Sequence, residues 1–170
     1  LKAAQRAIEA DASNYLAWYS LAQVAFFQKD FLTFKNAAEK SIGLNPLDAI
    51  CTAFLGQMYL CSGNLERGIE LAQKARNLNP NHPGWYWYTD FFYHFNLGQY
   101  EDAASVIHKV NLPGHWAMHA FAASSYGHLG QKNIAERSAE ELRKLRPDIR
   151  TRARRDLEKW QSPETTEKII

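Results

Sequence analysis

The chain has 170 residues, 46% of them hydrophobic and 22% charged, with a formal net charge of +2. That length supports one substantial core, and an aromatic content of 13% excludes a solvated, disordered tail. No apolar run approaches the ~18 residues that a membrane span needs.

Leu1 is followed by neither a basic stretch nor an apolar h-region, so these residues read as carrying no signal peptide. Cys51 and Cys61 are the only cysteines. On one helix, at about 1.5 Å per residue, they stand roughly 15 Å apart, beyond the ~7 Å that a disulfide tolerates. Two unbridged thiols point to a reducing compartment, and the expected location is cytoplasmic.

Taken in chain order, helical spacing recurs in pairs of segments. Residues 1–12 read as the end of a truncated hairpin, with Ala7 in a small-residue slot. In 15–46, Trp18, Leu21, Ala22 and Ala25 form one stripe, and Phe34, Ala38 and Ser41 a second that ends at Pro46. In 49–80, Thr52, Leu55, Gly56 and Tyr59 lead to a turn at Gly63-Asn64, then Gly68, Ala72, Ala75 and Pro80. In 83–113, Trp87, Phe91 and His94 precede Gly98, and Ala103, Ile107 and Val110 precede a stop at Asn111-Leu112-Pro113-Gly114. In 116–147, His119, Ala122, Ala123 and Tyr126 precede Gly130, then Ala135, Ala139, Leu142 and Pro147. Glycine suits the turn because it adopts positive φ without strain, and proline ends a helix because it lacks the amide donor.

The segments are in phase. Leu44-Asn45-Pro46 returns as Leu78-Asn79-Pro80 after 34 residues, and Leu145-Arg146-Pro147 follows after 67 more. Gly63, Gly98 and Gly130 repeat at spacings of 35 and 32. With this period, and with small residues such as Ala22, Gly56 and Ala123 where paired helices approach, the chain resembles the tetratricopeptide repeat family. The resemblance covers about residues 1–149. It departs from the pattern where Phe34 precedes Ala38, inverting the small and large positions, and where Asp90 stands in a packed slot.

The resemblance implies an all-α, right-handed α-solenoid of about four tetratricopeptide-like hairpins over 1–147. One hairpin cannot bury its own apolar face, so neighbours stack. Residues 148–170 read as an amphipathic capping helix, on the stripe Ile149, Ala153, Leu157 and Trp160, followed by the start of a further helix at Ser162-Pro163-Glu164. A start within a second helix reads as a piece of a longer protein, which could self-associate through that truncated helix. Pro83-Gly84-Trp85-Tyr86-Trp87 and the close Leu157-Glu158-Lys159-Trp160 resemble, more loosely, the C-terminal repeat modules of bacterial regulators, which follow a nucleotide cyclase or winged-helix domain.

In this family the first helix of each repeat lines a concave groove. Carried over by position, the lining is Leu16, Tyr19, Gln23, Phe26 and Phe27, then Ile50, Ala53, Gln57, Leu60 and Cys61. The third and fourth repeats contribute Trp85, Tyr88, Phe92, Phe95 and Asn96, then Ala117, Ala120, Ser124, Gly127 and His128. No Lys, Arg, Asp or Glu is among them, and seven are aromatic, the residue class that anchors interfaces. The expected function is therefore binding of a protein, as a peptide or helix in an uncharged groove. The opposing reading is that these aromatics pack internally or hold another domain of the same chain. The family's carboxylate-clamping function is not expected, because Tyr19, Gln23, Phe54, Trp85 and Thr89 stand in the corresponding slots and offer no cation.

Other features are read more plainly. Residues 143–159 carry eight Lys or Arg against three acids. Arg150, Arg152, Arg154 and Arg155 form a basic patch that reads as the solvated face of the capping helix, with nucleic-acid contact as the alternative. His115 and His119 have metal-ligand spacing, but nothing completes a site, so no metal or cofactor is expected. No nucleophile elbow, phosphate loop or dinucleotide fingerprint occurs, and no catalysis is expected. The remaining alternative is an intramolecular regulatory module that controls an upstream domain.

Overall fold

The computed structural model describes residues 1–170, all helix and turn with no strand. The chain divides into two compact units, Leu1–Asn81 and His82–Ile170. No helix is long and apolar enough to cross a membrane.

Unit 1 contains α1 (Lys2–Ala10), α2 (Tyr15–Phe27), α3 (Phe31–Leu44), α4 (Ala49–Cys61) and α5 (Leu65–Leu78). Side chains at the helix starts satisfy the orphan amides of the first turn. Asn14 accepts from the Leu16 and Ala17 N–H groups, Asp30 from Thr33, Asp48 from Cys51 and Asn64 from Arg67. The helices pair as α2–α3 and α4–α5. Gly56 and Gly68 allow the second pair to touch backbone to backbone, since a Cβ on Gly68 would meet the Gly56 carbonyl oxygen and the Leu60 nitrogen at 2.9 Å. Phe34 is fully buried between Phe26 and Tyr59, with ring centroids 5.6 and 4.9 Å away.

Unit 2 opens with a 3-10 turn, Gly84–Trp87, and continues through α6 (Tyr88–Asn96), α7 (Tyr100–Val110), α8 (Trp116–His128) and α9 (Lys132–Leu145). It closes with α10 (Ile149–Leu157) and α11 (Pro163–Ile169). Its centre is aromatic. Phe121 stacks on Phe91 at 5.0 Å and meets Phe92 edge-on at 4.8 Å, an arrangement that suits the ring quadrupoles.

All four hairpin turns are built alike. Lys29, Gly63, Gly98 and Gly130 each take positive φ, and the next residue's N–H reaches back five residues to a carbonyl of the preceding helix. The glycine slots are those expected from the sequence. Lys29 is not, because a lysine at φ 60° leaves no compositional signal.

The expected fold class, all-α and made of helical hairpins, is the observed one. Two local features differ from the sequence reading. The third hairpin's first helix starts only at Tyr88, because Gly84 backs onto the Val110 carbonyl and the chain crosses that point in a tighter 3-10 turn. The amphipathic α9 buries no residue, since α10 stands off from it instead of covering it.

Candidate interaction face

In unit 1 the expected groove residues separate by depth. Leu16 and Ile50, one period apart, are 49% and 58% exposed, and Phe27 is 47% exposed. Tyr19, Gln23 and Gln57 are half-buried, and Gln23 Nε2 donates to Tyr19 Oη at 3.1 Å. Burial pushes the Tyr19 phenol well above its ordinary range. Phe26, Ala53, Leu60 and Cys61 are buried. Phe26 is a correction to the expected lining: its ring meets Phe34 of α3, so it serves the hairpin's own core.

Unit 2 shows the same separation more sharply. Tyr88, Phe92 and Phe95 are buried and do not line an open surface. Phe92 packs on Phe91 and Phe121, and Phe95 on Phe91 and Tyr100. The Tyr88 hydroxyl lies 3.0 Å from His115 Nδ1, and burial pushes its pKa up to about 12. Trp85 is half-buried on the 3-10 turn and not on the face of a helix. The physical reason is common to these residues. A nine-residue α6 turns most of its circumference toward α7, α8 and the 3-10 turn, so large rings at groove positions are drawn inward.

Asn96, Ser124 and His128 are the polar residues of the expected lining in this unit, and all three meet one short helix. Asn96 Oδ1 accepts from Thr165 Oγ1 at 2.7 Å, while its Nδ2 donates to the Phe92 carbonyl. Ser124 Oγ donates to the Lys168 carbonyl at 2.8 Å. His128 Nε2 lies 2.9 Å from the same oxygen, and a carbonyl partner requires that nitrogen to carry the proton. The imidazole is held flat against Tyr100, with centroids 4.1 Å apart and planes 4° from parallel. Lys168 belongs to α11. The α6–α8 face therefore hydrogen-bonds a helix that runs across it.

The residues of α11 that make these contacts were not singled out from the sequence. Its start was legible, because Ser162 accepts from the Thr165 N–H and Pro163 occupies the first turn. Thr165, Thr166 and Ile169 are buried, a spacing that marks one inward face. Beside α11 lies a cleft of about 620 Å³ between α8, α9 and α10, walled mainly by Ala120, Ala123, Ala139, Leu142 and Leu157. Ser124 and His128 border it on the α11 side.

The basic patch is largely engaged. Arg152 pairs with Asp148 at 3.2 Å, Arg155 with Asp156 at 3.7 Å, and Arg154 with Glu158 at 3.5 Å and Glu167 at 2.5 Å. Asp156 also accepts from Arg146 and Lys159, which hold its carboxyl down to about 2. Arg150 lies at the cleft rim. His115 precedes α8 and faces Tyr88, whereas His119 Nε2 lies 2.8 Å from the Pro113 carbonyl. Cys51 and Cys61 are buried on α4 without a disulfide, and burial pushes the Cys51 thiol up to about 12. Asp90 is buried.

No protein-family model matches the chain, and no curated protein is similar to it in sequence. Solved structures are similar in fold. One crystal structure of MamA superposes with a TM-score of 0.70 at 16% identity, covering 88% of this chain and 88% of that one. A second, of MamA protein, gives 0.64 at 17% identity, covering 88% and 82%. The chain has a MamA-like fold. At such low identity the likeness concerns the fold, an all-α solenoid of tetratricopeptide-like hairpins, and not the activity.

Proposed function

We propose that the chain is a protein-interaction module, without catalysis of its own, that receives a helix on the first-helix face of its hairpins. The observation that carries this reading is the seating of α11 on α6 and α8. Asn96, Ser124 and His128 satisfy polar groups of a helix while Thr165 and Ile169 are buried between them. A face that hydrogen-bonds a helix and buries its apolar side is chemically fitted to helix-in-groove recognition. The fold supports the same reading, since stacked hairpins present one face of successive helices to a ligand. In unit 1 the exposed Leu16, Ile50 and Phe27 offer apolar area of the kind interfaces use. Two thiols without a disulfide are compatible with the cytoplasm.

The occupant belongs to the same chain, which also supports the second reading, a module that holds a segment of its own parent protein. A display library of helical peptides panned against the chain tests the binding role. Enrichment of amphipathic sequences, lost with Ser124→Leu and retained with Arg152→Ala, supports it. Enrichment indifferent to Ser124→Leu, or none, overturns it. Substitutions at Phe92 or Phe95 are unsuited to this purpose, because emptying a buried phenylalanine site costs about 3–5 kcal/mol of stability.

A further inference from the structure

Resting on that reading, we infer that the Tyr88–His115 hydrogen bond is a pH-sensitive latch on the α6–α8 face. It is closed at neutral pH and opened by acid, so that the face holds a helix less firmly as pH falls.

The latch is built where α6 and α8 begin. Tyr88 is the first residue of α6, and His115 is the N-cap of α8 with no side-chain capping bond of its own. Tyr88 is buried, and its hydroxyl, 3.0 Å from His115 Nδ1, has no other hydrogen-bond partner. A buried phenol must place its proton on an acceptor, so Tyr88 donates and Nδ1 carries no hydrogen. Protonation of the imidazole puts a hydrogen on Nδ1 and removes that acceptor. It also sets a cation at the N-terminus of a 13-residue helix, where the macrodipole opposes it. No charged group offsets this. His119, one turn on in α8, lies 2.8 Å from the Pro113 carbonyl and interacts electrostatically with Glu141 of α9. Arg146 lies over the Trp116 ring, and Lys109 of α7 over Trp87.

Unit 1 holds the same arrangement with a group that mild acid does not switch. Tyr15, the first residue of α2, donates at 3.0 Å to Oδ2 of Asp48, the N-cap of α4. Burial pushes the Asp48 carboxyl up, but hydrogen bonds from Cys51 and Tyr15 outweigh it and leave the pKa below the ordinary 3.8. Asp48 thus stays an acceptor through the range in which a histidine titrates. His115 is exposed as a residue, yet desolvation holds its pKa below the ordinary 6.5. The closed latch therefore loses stability as pH falls below the value of the released side chain, and the loss levels off below the lowered one.

The latch bears on helix binding because the same two helices share the seat. Asn96, at the end of α6, accepts from Thr165, while Ser124 and His128 of α8 hold the Lys168 carbonyl. Between latch and seat, Phe121 of α8 packs on Phe91 and Phe92 of α6. That contact is a fulcrum. Release at Tyr88 lets the far ends of the two helices shift, and a helix that bridges Asn96 to Ser124 feels it. His128 is no second switch for this bond, since its Nε2 carries a proton for the carbonyl in either charge state.

The test is a pH titration of the isotope-labelled full chain by NMR, from about pH 8 to about pH 5, spanning the histidine range. It follows the His115 ring and the Asn96, Ser124 and Thr165 amides. The three amides should move with the His115 midpoint, and the protection of α11 amides from hydrogen exchange, corrected for the intrinsic rate, should fall severalfold over the same step. Tyr88→Phe should show at neutral pH the signals that the unaltered chain reaches in acid. His115→Asp, which installs the group unit 1 uses, should keep the neutral-pH signals and abolish the step, and His128→Gln should retain it. Thr165→Val reads the seat itself and should shift Asn96 and Ser124 at every pH. A seat that answers Thr165→Val but has no step at the His115 midpoint, or keeps one in His115→Asp, overturns the latch and leaves helix recognition standing. A seat that ignores Thr165→Val overturns both.

Discussion

Gly84 lies directly against Val110: a Cβ on Gly84 would fall inside the van der Waals shell of the Val110 carbonyl oxygen. This contact places the entry to unit 2 on the C-terminal end of α7, which stops there with Asn111 in the left-handed region at φ 46°. Gly84→Ala should destabilise unit 2 by about 3 kcal/mol or more, because the obstruction is backbone and cannot rotate away. Urea unfolding measures it. Gly43→Ala, on an exposed position of α3 with open space at its Cβ, is the contrasting control and should stabilise by about 0.5–1 kcal/mol.

Lys29 occupies the turn position that glycine fills in the other three hairpins, at φ 60°. A side chain in that region costs roughly 1–2 kcal/mol. Its ammonium lies 5.5 Å from the Phe26 ring centre, a contact worth about 0.5–1 kcal/mol at an exposed site. The two effects oppose each other, and the backbone one is larger. Lys29→Gly is expected to raise the melting temperature of unit 1, whereas Gly63→Lys, its counterpart at φ 90°, should lower it.

The Thr166 hydroxyl is fully buried and has no hydrogen-bond partner. A buried, unsatisfied hydroxyl carries a desolvation penalty, and an apolar group of the same shape removes it. Thr166→Val should therefore stabilise the chain by about 1 kcal/mol, and Thr166→Ser should not. Denaturant midpoints for the three proteins distinguish these outcomes.

Glu39 ties α3 to the α4–α5 pair. It accepts from the Tyr59 hydroxyl at 2.8 Å and from the Arg67 guanidinium at 3.0 and 2.8 Å. Desolvation by burial pushes the carboxyl up, but the hydrogen bonds from Arg67 and Tyr59 outweigh it and leave the pKa below the ordinary 4.5. A depressed carboxyl contributes stability that is present above its unfolded pKa and lost as pH falls through the folded one. The stability difference between the unaltered chain and Glu39→Gln should thus be level above about pH 5 and shrink as the solution is acidified further. Urea titrations at a series of pH values read this directly, and a difference that grows on acidification would contradict it.

Much of the architecture was legible because its signals are local. Glycine at positive φ, asparagine and aspartate at helix starts and proline after helix ends act within a few residues of themselves, and they recur near a 34-residue period. The hairpins formed by α2 through α9 follow from those signals. Lys29 escaped them because its turn geometry is imposed by the flanking helices against its own preference.

The candidate face was legible in part. The groove positions carried over from the family resemblance marked Asn96, Ser124 and His128, and these three meet a helix. The same rule also marked Phe26, Tyr88, Phe92 and Phe95, which are buried. A repeat register states which side of a helix a residue is on but not how closely its neighbours approach. That closeness decides whether a ring faces solvent or core. The hydroxyl of Thr165 and the amide of Asn96 are 69 residues apart in the chain. Composition and periodicity therefore determined that this protein is a set of helical hairpins, and the family resemblance implied which helix faces line a groove. Only tertiary packing decided which aromatics became core and that α11 returns to that face, because both depend on contacts between residues far apart in sequence.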